Sequence, residues 1–264
     1  MAGPIRVGIG GWTYEPWRGT FYPEKLPQAR ELEHAANAVT AIEINGTYYS
    51  SFKAASFEKW AKAAPVGFKF SVKASRFCTN RKVLADAGDS ITKFLGQGLT
   101  ALGDKLGPIL WQFMATKKFD PQDFGAFLDL LPESKDGLPL RHAIEVRHES
   151  FVDAEFVAMA RKAGAAIVFA DKAGTPSIAD LTGDFVYARL QAARDEEPTG
   201  YDSVELDRWT RVAKNWADGQ QPDGLNYVAE RHAATRARET YVFFINGAKV
   251  RAPAAAQAMI ARLG

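Results

Sequence analysis

The chain's 264 residues, 47% hydrophobic and 24% charged, have ordinary globular composition and enough length to bury a large core in one or two domains; we read one domain over residues 1–264. A formal charge of +2 is too weak to imply a nucleic-acid partner by itself, leaving local basic patches such as Lys117 with Lys118, or Arg231, Arg236 and Arg238. Apolar runs stay short and a strand begins at Ile5 without a charged leader, so neither a signal peptide nor a membrane span is expected; the single Cys78 excludes an internal disulfide and a cysteine-based metal cluster, and the expected location is the cytoplasm.

In chain order, strand candidates start near residues 5, 41, 68, 109, 142, 166, 185 and 241, and helical periodicity follows most of them, over 26–37, 54–64, 90–106, 121–131, 153–163 and 204–217. Regular alternation of strand and helix predicts a parallel sheet, and eight such units in this length predict a closed (β/α)8 barrel of TIM type. The competing open, doubly wound sheet lacks its phosphate fingerprint: the first turn carries Gly8, Gly10 and Gly11, but no glycine at the third fingerprint position. Two connections depart from a plain barrel. The aromatic stretch GGWTYEPWRGTFYP (10–23) reads as an ordered loop over the barrel mouth, and the long connection between strands 7 and 8 (192–239) opens with ARDEEPTGYD; one of the two is expected to act as a lid.

Side chains alternate across a strand, so in AIEIN (41–45) Ile42 and Ile44 oppose Glu43 and Asn45, in FKFSVK Phe70 and Val72 oppose Ser71 and Lys73, and in AIEVRH Ile144 and Val146 oppose Glu145 and Arg147. The odd-numbered positions from Glu43 to Gln191 are therefore expected to gather in one central cavity at the C-terminal ends of the strands, where barrels place their sites. Glu43 and Glu145 are the candidate catalytic carboxylates, with Asp171 a third acid at the end of strand 6. Two carboxylates divide acid and base work when burial raises one pKa and a cation holds the other low. Opposite charges in a barrel also commonly close into an ion-pair network that only satisfies itself. Lys73, Arg147 and Arg189 suit an anionic ligand, with Asn45, Gln112, Gln191 and Asn246 adding neutral hydrogen-bonding groups and His148 near the mouth. Trp12, Tyr14 and Trp17, with Tyr48 and Tyr49, bring rings toward one rim, either to stack on a sugar or base or to pack the loop onto the barrel. Of the histidines, His34, His142, His148 and His232, no two have helix-face ligand spacing, so no metal and no other cofactor is assigned.

The segments GGWTYEPWRGTFYP, AIEINGTYYS, FKFSVKASRFCTN, GPILWQF, AIEVRHESF, VYARLQ and YVFFINGAKVRAPAAAQAM together resemble the YecE-like proteins, domain-of-unknown-function family 72, over nearly the whole chain. The resemblance implies a TIM-type barrel whose overall shape is similar to metal-dependent barrels that cut DNA at damaged sites, a fold-level analogy. Three places depart from the family pattern. Thr79-Asn80 stands where the family has Thr-His, Leu190-Gln191-Ala192 where it has Leu-His-Gly, and Ile245-Asn246-Gly247 where it has Asn-Asn-Asp, so histidines and an acid are missing from this mouth.

The leading expectation is a barrel that binds a phosphorylated or nucleic-acid-derived anion at its C-terminal face, with Arg147 and Arg189 holding the anion and Glu43 or Glu145 as acid or base in a hydrolysis. The alternatives are a non-catalytic nucleic-acid-binding module using the aromatic rim and surface lysines, and a glycoside-active enzyme. The last requires Glu43 and Glu145 to stand about 5 to 9.5 Å apart across an open cleft. No membrane partner is expected, and the sequence does not set the oligomeric state.

Overall fold

The computed structural model describes residues 2–231 and 236–264; His232 lies outside the described residues. Eight parallel strands close into a barrel: β1 (Ile5–Gly10), β2 (Ala41–Ile44), β3 (Lys69–Lys73), β4 (Leu106–Gln112), β5 (His142–Glu145), β6 (Ala166–Asp171), β7 (Phe185–Leu190) and β8 (Glu239–Phe244). Closure falls at β1, which pairs with β2 through Gly8 opposite Ala41 and with β8 through Gly8 opposite Phe243. Gly8 faces inward, where a Cβ would lie 2.2 Å from the Ala41 carbonyl oxygen. Any larger residue there would push β1 off β2.

The helices α1 (Glu31–Ala38), α2 (Ala54–Ala63), α3 (Gly88–Leu95), α4 (Pro121–Asp129), α5 (Ala154–Lys162), α6 (Ser203–Ala217) and α7 (Ala252–Leu263) surround the barrel. Their starts are legible: Asp120 caps α4 with Pro121 in its first turn, Asp153 caps α5, and Asp202 with Glu205 forms a reciprocal capping box on α6. The outward rows of the strands, including Ile42, Ile44, Phe70, Val72, Ile144, Phe169 and Val242, meet the apolar stripes of these helices in one continuous core. A separate inner core of Ala41, Leu110, Ala143, Val168, Tyr187, Tyr241, Phe243 and neighbours fills the lower barrel, so the lumen is packed rather than hollow.

Two connections differ from the pattern read in the sequence. The single helix over 90–106 is two pieces, because Gly98 takes a left-handed φ of +88° where a Cβ would also strike Ala54; α3 stops at Leu95 and a 3-10 turn, Leu99–Lys105, resumes. No helix separates β6 from β7. The segment between them is instead held by the Asp180 carboxylate, which accepts the Val228 and Ala229 amides at 2.8 and 3.0 Å, so the β7–β8 connection folds back over the gap.

Candidate functional site

Strand register decides which side chains enter the lumen. Gly10 lies opposite Glu43, Glu43 opposite Ser71, and Gln112 opposite Glu145, while Phe243 lies opposite Arg189. The inward set is odd-numbered in β2, β3, β5, β7 and β8. It is even-numbered in β4 and β6, because a register shift between Phe70 and Val72 moves β4 by one residue and Ala166 takes the place opposite Ala143. Ala170 pairs with Arg189 and Asp171 with Leu190, so Asp171 is turned to the outer layer. Its electrostatic neighbours are Arg208 and Glu205 of α6, and burial raises its pKa. Structure thus brings Glu43, Lys73, Gln112, Glu145, Arg189 and Gln191 together and leaves Asp171 out.

At the C-terminal end of the lumen the Arg189 guanidinium bridges both candidate acids. Its Nε and Nη2 donate side-on to Glu43 at 3.0 Å each, and its Nη1 donates to Glu145 at 2.5 Å. Glu43 also accepts the Tyr187 hydroxyl at 2.7 Å; Glu145 accepts Gln112 Nε2 and Arg147 Nε, both at 2.9 Å. Every oxygen of the two carboxylates is therefore occupied, and the space between them holds a guanidinium rather than an open cleft. Burial alone would raise the Glu145 pKa, but Arg189 and Arg147 outweigh it and hold it at about 2. Burial drives the Tyr187 phenol well above its ordinary range, with Glu43 adding to the shift, so this hydroxyl stays protonated. Ser71 Oγ, 2.7 Å from it, ties the network to the Pro108 carbonyl.

Donors, by contrast, are left over. Arg147 uses only Nε, so both terminal nitrogens remain unengaged among the described residues. Lys73 is 7% exposed, yet its ammonium makes no hydrogen bond or ion pair there and rests 4.4 Å from the centre of the Tyr48 ring. Burial lowers its pKa to about 8, reinforced by Arg189 and opposed by Glu43 and Glu145. Gln191 receives Asn246 Nδ2 on its carbonyl at 3.3 Å, while its own buried Nε2 has no partner among the described residues. His148 Nδ1 accepts from the Ser150 amide at 3.1 Å, which puts the neutral ring's proton on Nε2, a further donor. Asn45 Nδ2 reaches back to the Glu43 carbonyl at 3.3 Å.

The aromatic residues divide. Trp17 is buried with its Nε1 on the Lys249 carbonyl at 3.0 Å, Tyr22 donates to the Trp12 carbonyl at 2.5 Å, Trp12 packs edge-on against Trp60, and Tyr14 against Trp17. These rings hold the first loop together. Those that remain open lie on two short helices, Gly46–Tyr49 after β2 and Arg76–Thr79 after β3: Tyr49 is 67% and Phe77 62% exposed. Tyr48 joins the two helices by accepting Asn80 Nδ2 at 2.9 Å, so the asparagine at the departing family position has a structural partner. Tyr187 and Phe77 are additions to the expected set; Tyr187 shares parity with Arg189 and Gln191, the one signal in the sequence that points to it.

The second long connection is stapled rather than open. Arg194 grips Glu205 through two bonds of 2.8 and 2.7 Å, and the Ala192 amide donates to Tyr201 Oη at 3.0 Å. Of the basic patches, Lys117 pairs with Asp123, Arg231 with Asp223, and Arg238 is buried on backbone carbonyls. A cleft of about 730 Å³ opens at the opposite end of the barrel, among Lys69, Arg141, Arg161, Arg236 and Glu239. There Arg6 and Arg141 share Glu239 at 3.0 and 2.8 Å, and His142, its pKa lowered by burial, is locked between Trp111 Nε1 and the Pro132 carbonyl. Charges that close on one another at the N-terminal face serve the barrel's stability, so the volume of this cleft does not move the candidate site. Among the described residues no three His, Cys, Asp or Glu side chains gather as a metal-ligand group.

The family model described as "Protein of unknown function DUF72" matches residues 6–264. The chain belongs to the DUF72 family. A DUF72 family protein of Thermotoga maritima MSB8 superposes with a TM-score of 0.74 at 23% identity, covering 98% of this chain and 99% of the other. One from Enterococcus faecalis V583 gives 0.73 at 18% identity over 98% and 95%. SacUVDE gives 0.58 at 10% identity over 98% and 99%. At such identities these likenesses carry the fold alone. In sequence, UPF0759 protein YunF of Bacillus subtilis is 26% identical over 114 residues, 41% of this chain, which thus spans 39% of that relative's length. No helix among the described residues is long and apolar enough to cross a membrane.

Proposed function

We propose that this DUF72 protein binds a phosphorylated or nucleic-acid-derived anion at the C-terminal mouth, contacted by Lys73, Arg147, Gln191 and His148. The observation that carries this reading is the imbalance at the mouth: all four carboxylate oxygens are taken, while Arg147, Lys73 and Gln191 keep donors unengaged among the described residues. A ligand rich in acceptor oxygens satisfies such a surface, the guanidinium fork meeting two oxygens and lysine supplying a point charge. In this reading Glu43 and Glu145 act by fixing Arg189 and Arg147. A carboxylate held at a pKa of about 2 is neither a proton donor nor a strong base at neutral pH. The guanidinium between them weighs against the glycoside-active alternative.

Calorimetric titration with inorganic phosphate and a nucleoside monophosphate tests this. Saturable binding weakened about 10-fold or more in Arg147→Ala is expected; no saturable binding, or unchanged affinity in the variant, would refute it. A hydrolysis run by these acids would instead show product formation that vanishes in Glu43→Gln or Glu145→Gln.

Tyr49 and Phe77, exposed beside that mouth with Arg76 5.3 Å from the Phe77 ring centre, favour a second reading in which the anion belongs to a single strand whose bases stack on these rings. Affinity for short oligonucleotides should then fall steeply with salt and drop in Tyr49→Ala and Phe77→Ala. Salt-independent affinity would argue against it.

A further inference from the structure

We propose that Lys73 is a nucleophilic amine that forms an imine with an aldehyde or ketone carried on the anionic ligand, an inference that rests on the anion-binding reading above. Lys73 ends β3 pointing into the mouth, almost wholly buried, and apart from the Tyr48 ring 4.4 Å away no hydrogen bond or ion pair among the described residues ties its nitrogen. Three other inward or half-buried lysines are tied: Lys69 donates to the Asp104 carbonyl, Lys105 to the Ala61 and Ala64 carbonyls at 2.6 Å, and Lys117 to Asp123, whereas half-buried Lys249 rests on the Tyr14 ring away from the two acids. The acids that would ordinarily capture a neighbouring ammonium, Glu43 and Glu145, are saturated by Arg189, Arg147, Gln112 and Tyr187.

The local charge favours the reactive form. Burial comes first, and the Arg189 and Arg147 cations add to it, bringing the ammonium to a pKa of about 8. At pH 7 about one molecule in ten then carries the neutral amine, against fewer than about one in a thousand for an ordinary lysine. The nitrogen lone pair attacks the carbonyl carbon, forming the C–N bond of a carbinolamine. The carbonyl oxygen then leaves as water with the two amine hydrogens, giving C=N with no oxidant or reductant required. Arg147, with two terminal nitrogens unengaged among the described residues, is placed to hold the ligand's anionic group while this happens.

Pyridoxal 5′-phosphate, an aldehyde bearing a phosphate, followed by borohydride reduction and peptide mass mapping, tests the idea on the intact protein. Expected is one modified lysine, Lys73, protected by excess inorganic phosphate and absent in Lys73→Arg, which keeps the charge but not the amine. Modification spread over surface lysines, or confined to Lys249, whose ammonium also lies 4.6 Å from an aromatic ring centre, that of Tyr14, would overturn it. Two outcomes separate this inference from the reading beneath it. Phosphate that binds without any trapping at Lys73 removes the imine and leaves anion recognition standing. Trapping at Lys73 that an uncharged aldehyde achieves equally well, with no protection by phosphate, keeps the amine and removes the anion site.

Discussion

Replacing Lys73 by Met should make the protein more stable while weakening its grip on phosphate. Met keeps most of the lysine stem's volume and removes a charge that is 7% exposed and unpaired among the described residues. The shift from 10.5 to about 8 corresponds to roughly 3 kcal/mol by which the surroundings, burial first and then the Arg189 and Arg147 cations, net of Glu43 and Glu145, disfavour the charged form. Part of this returns through the Tyr48 ring contact, so a gain of about 1 to 3 kcal/mol is expected near pH 7. Because the folded pKa is depressed, the unfolded chain binds more protons between about pH 8 and 10.5. Wild-type stability therefore recovers relative to the variant as pH rises through that window. Urea unfolding at pH 7 and pH 10, with an unchanged m-value, measures both effects. A variant less stable than wild type at pH 7, or a difference that does not shrink with pH, would refute the view of Lys73 as a strained, unpaired cation.

Glu145→Gln should cost about 3 to 5 kcal/mol, since it leaves Arg189 and Arg147 short of a buried counter-charge; the folded pKa near 2 against 4.5 unfolded means wild-type stability present above pH 4.5 is lost as pH falls toward 2, a dependence the variant should largely lack in acid-unfolding curves. Tyr187→Phe removes one donor to Glu43 and the partner of Ser71, and a loss of about 1 to 2 kcal/mol in chemical unfolding is expected; a neutral result would place that hydroxyl outside the network. Asp180→Ala should free the Val228 and Ala229 amides and raise limited proteolysis in the β7–β8 connection, with unchanged cleavage counting against this anchor.

Much of this architecture is legible by alternation alone. Glu43, Lys73, Glu145, Arg189 and Gln191 each sit two residues from an inward neighbour, and all enter the same mouth. Parity fails at β4 and β6: β4 carries Leu110 and Gln112 inward because of the shift after Phe70, and β6, with Ala166 set opposite Ala143, carries Val168 and Ala170 inward, which turns Asp171 away. A one-residue offset between parallel strands leaves no mark on hydrophobic periodicity, since both faces of a barrel strand are buried. The break at Gly98 was visible as a glycine but not as a left-handed one pressed on Ala54. Least legible was the saturation of the carboxylates, for it depends on Arg189 meeting Glu43 across 146 positions of chain.

A crystal grown with phosphate, or soaked with an electron-dense oxyanion of the same shape, confronts the anion-binding account most directly. The account predicts ordered density between the Arg147 terminal nitrogens and Lys73 Nζ, with the Arg189 bridge undisturbed. Density only in the N-terminal cleft beside Arg161 and Arg236, or Arg147 and Lys73 closed onto protein partners, would contradict it.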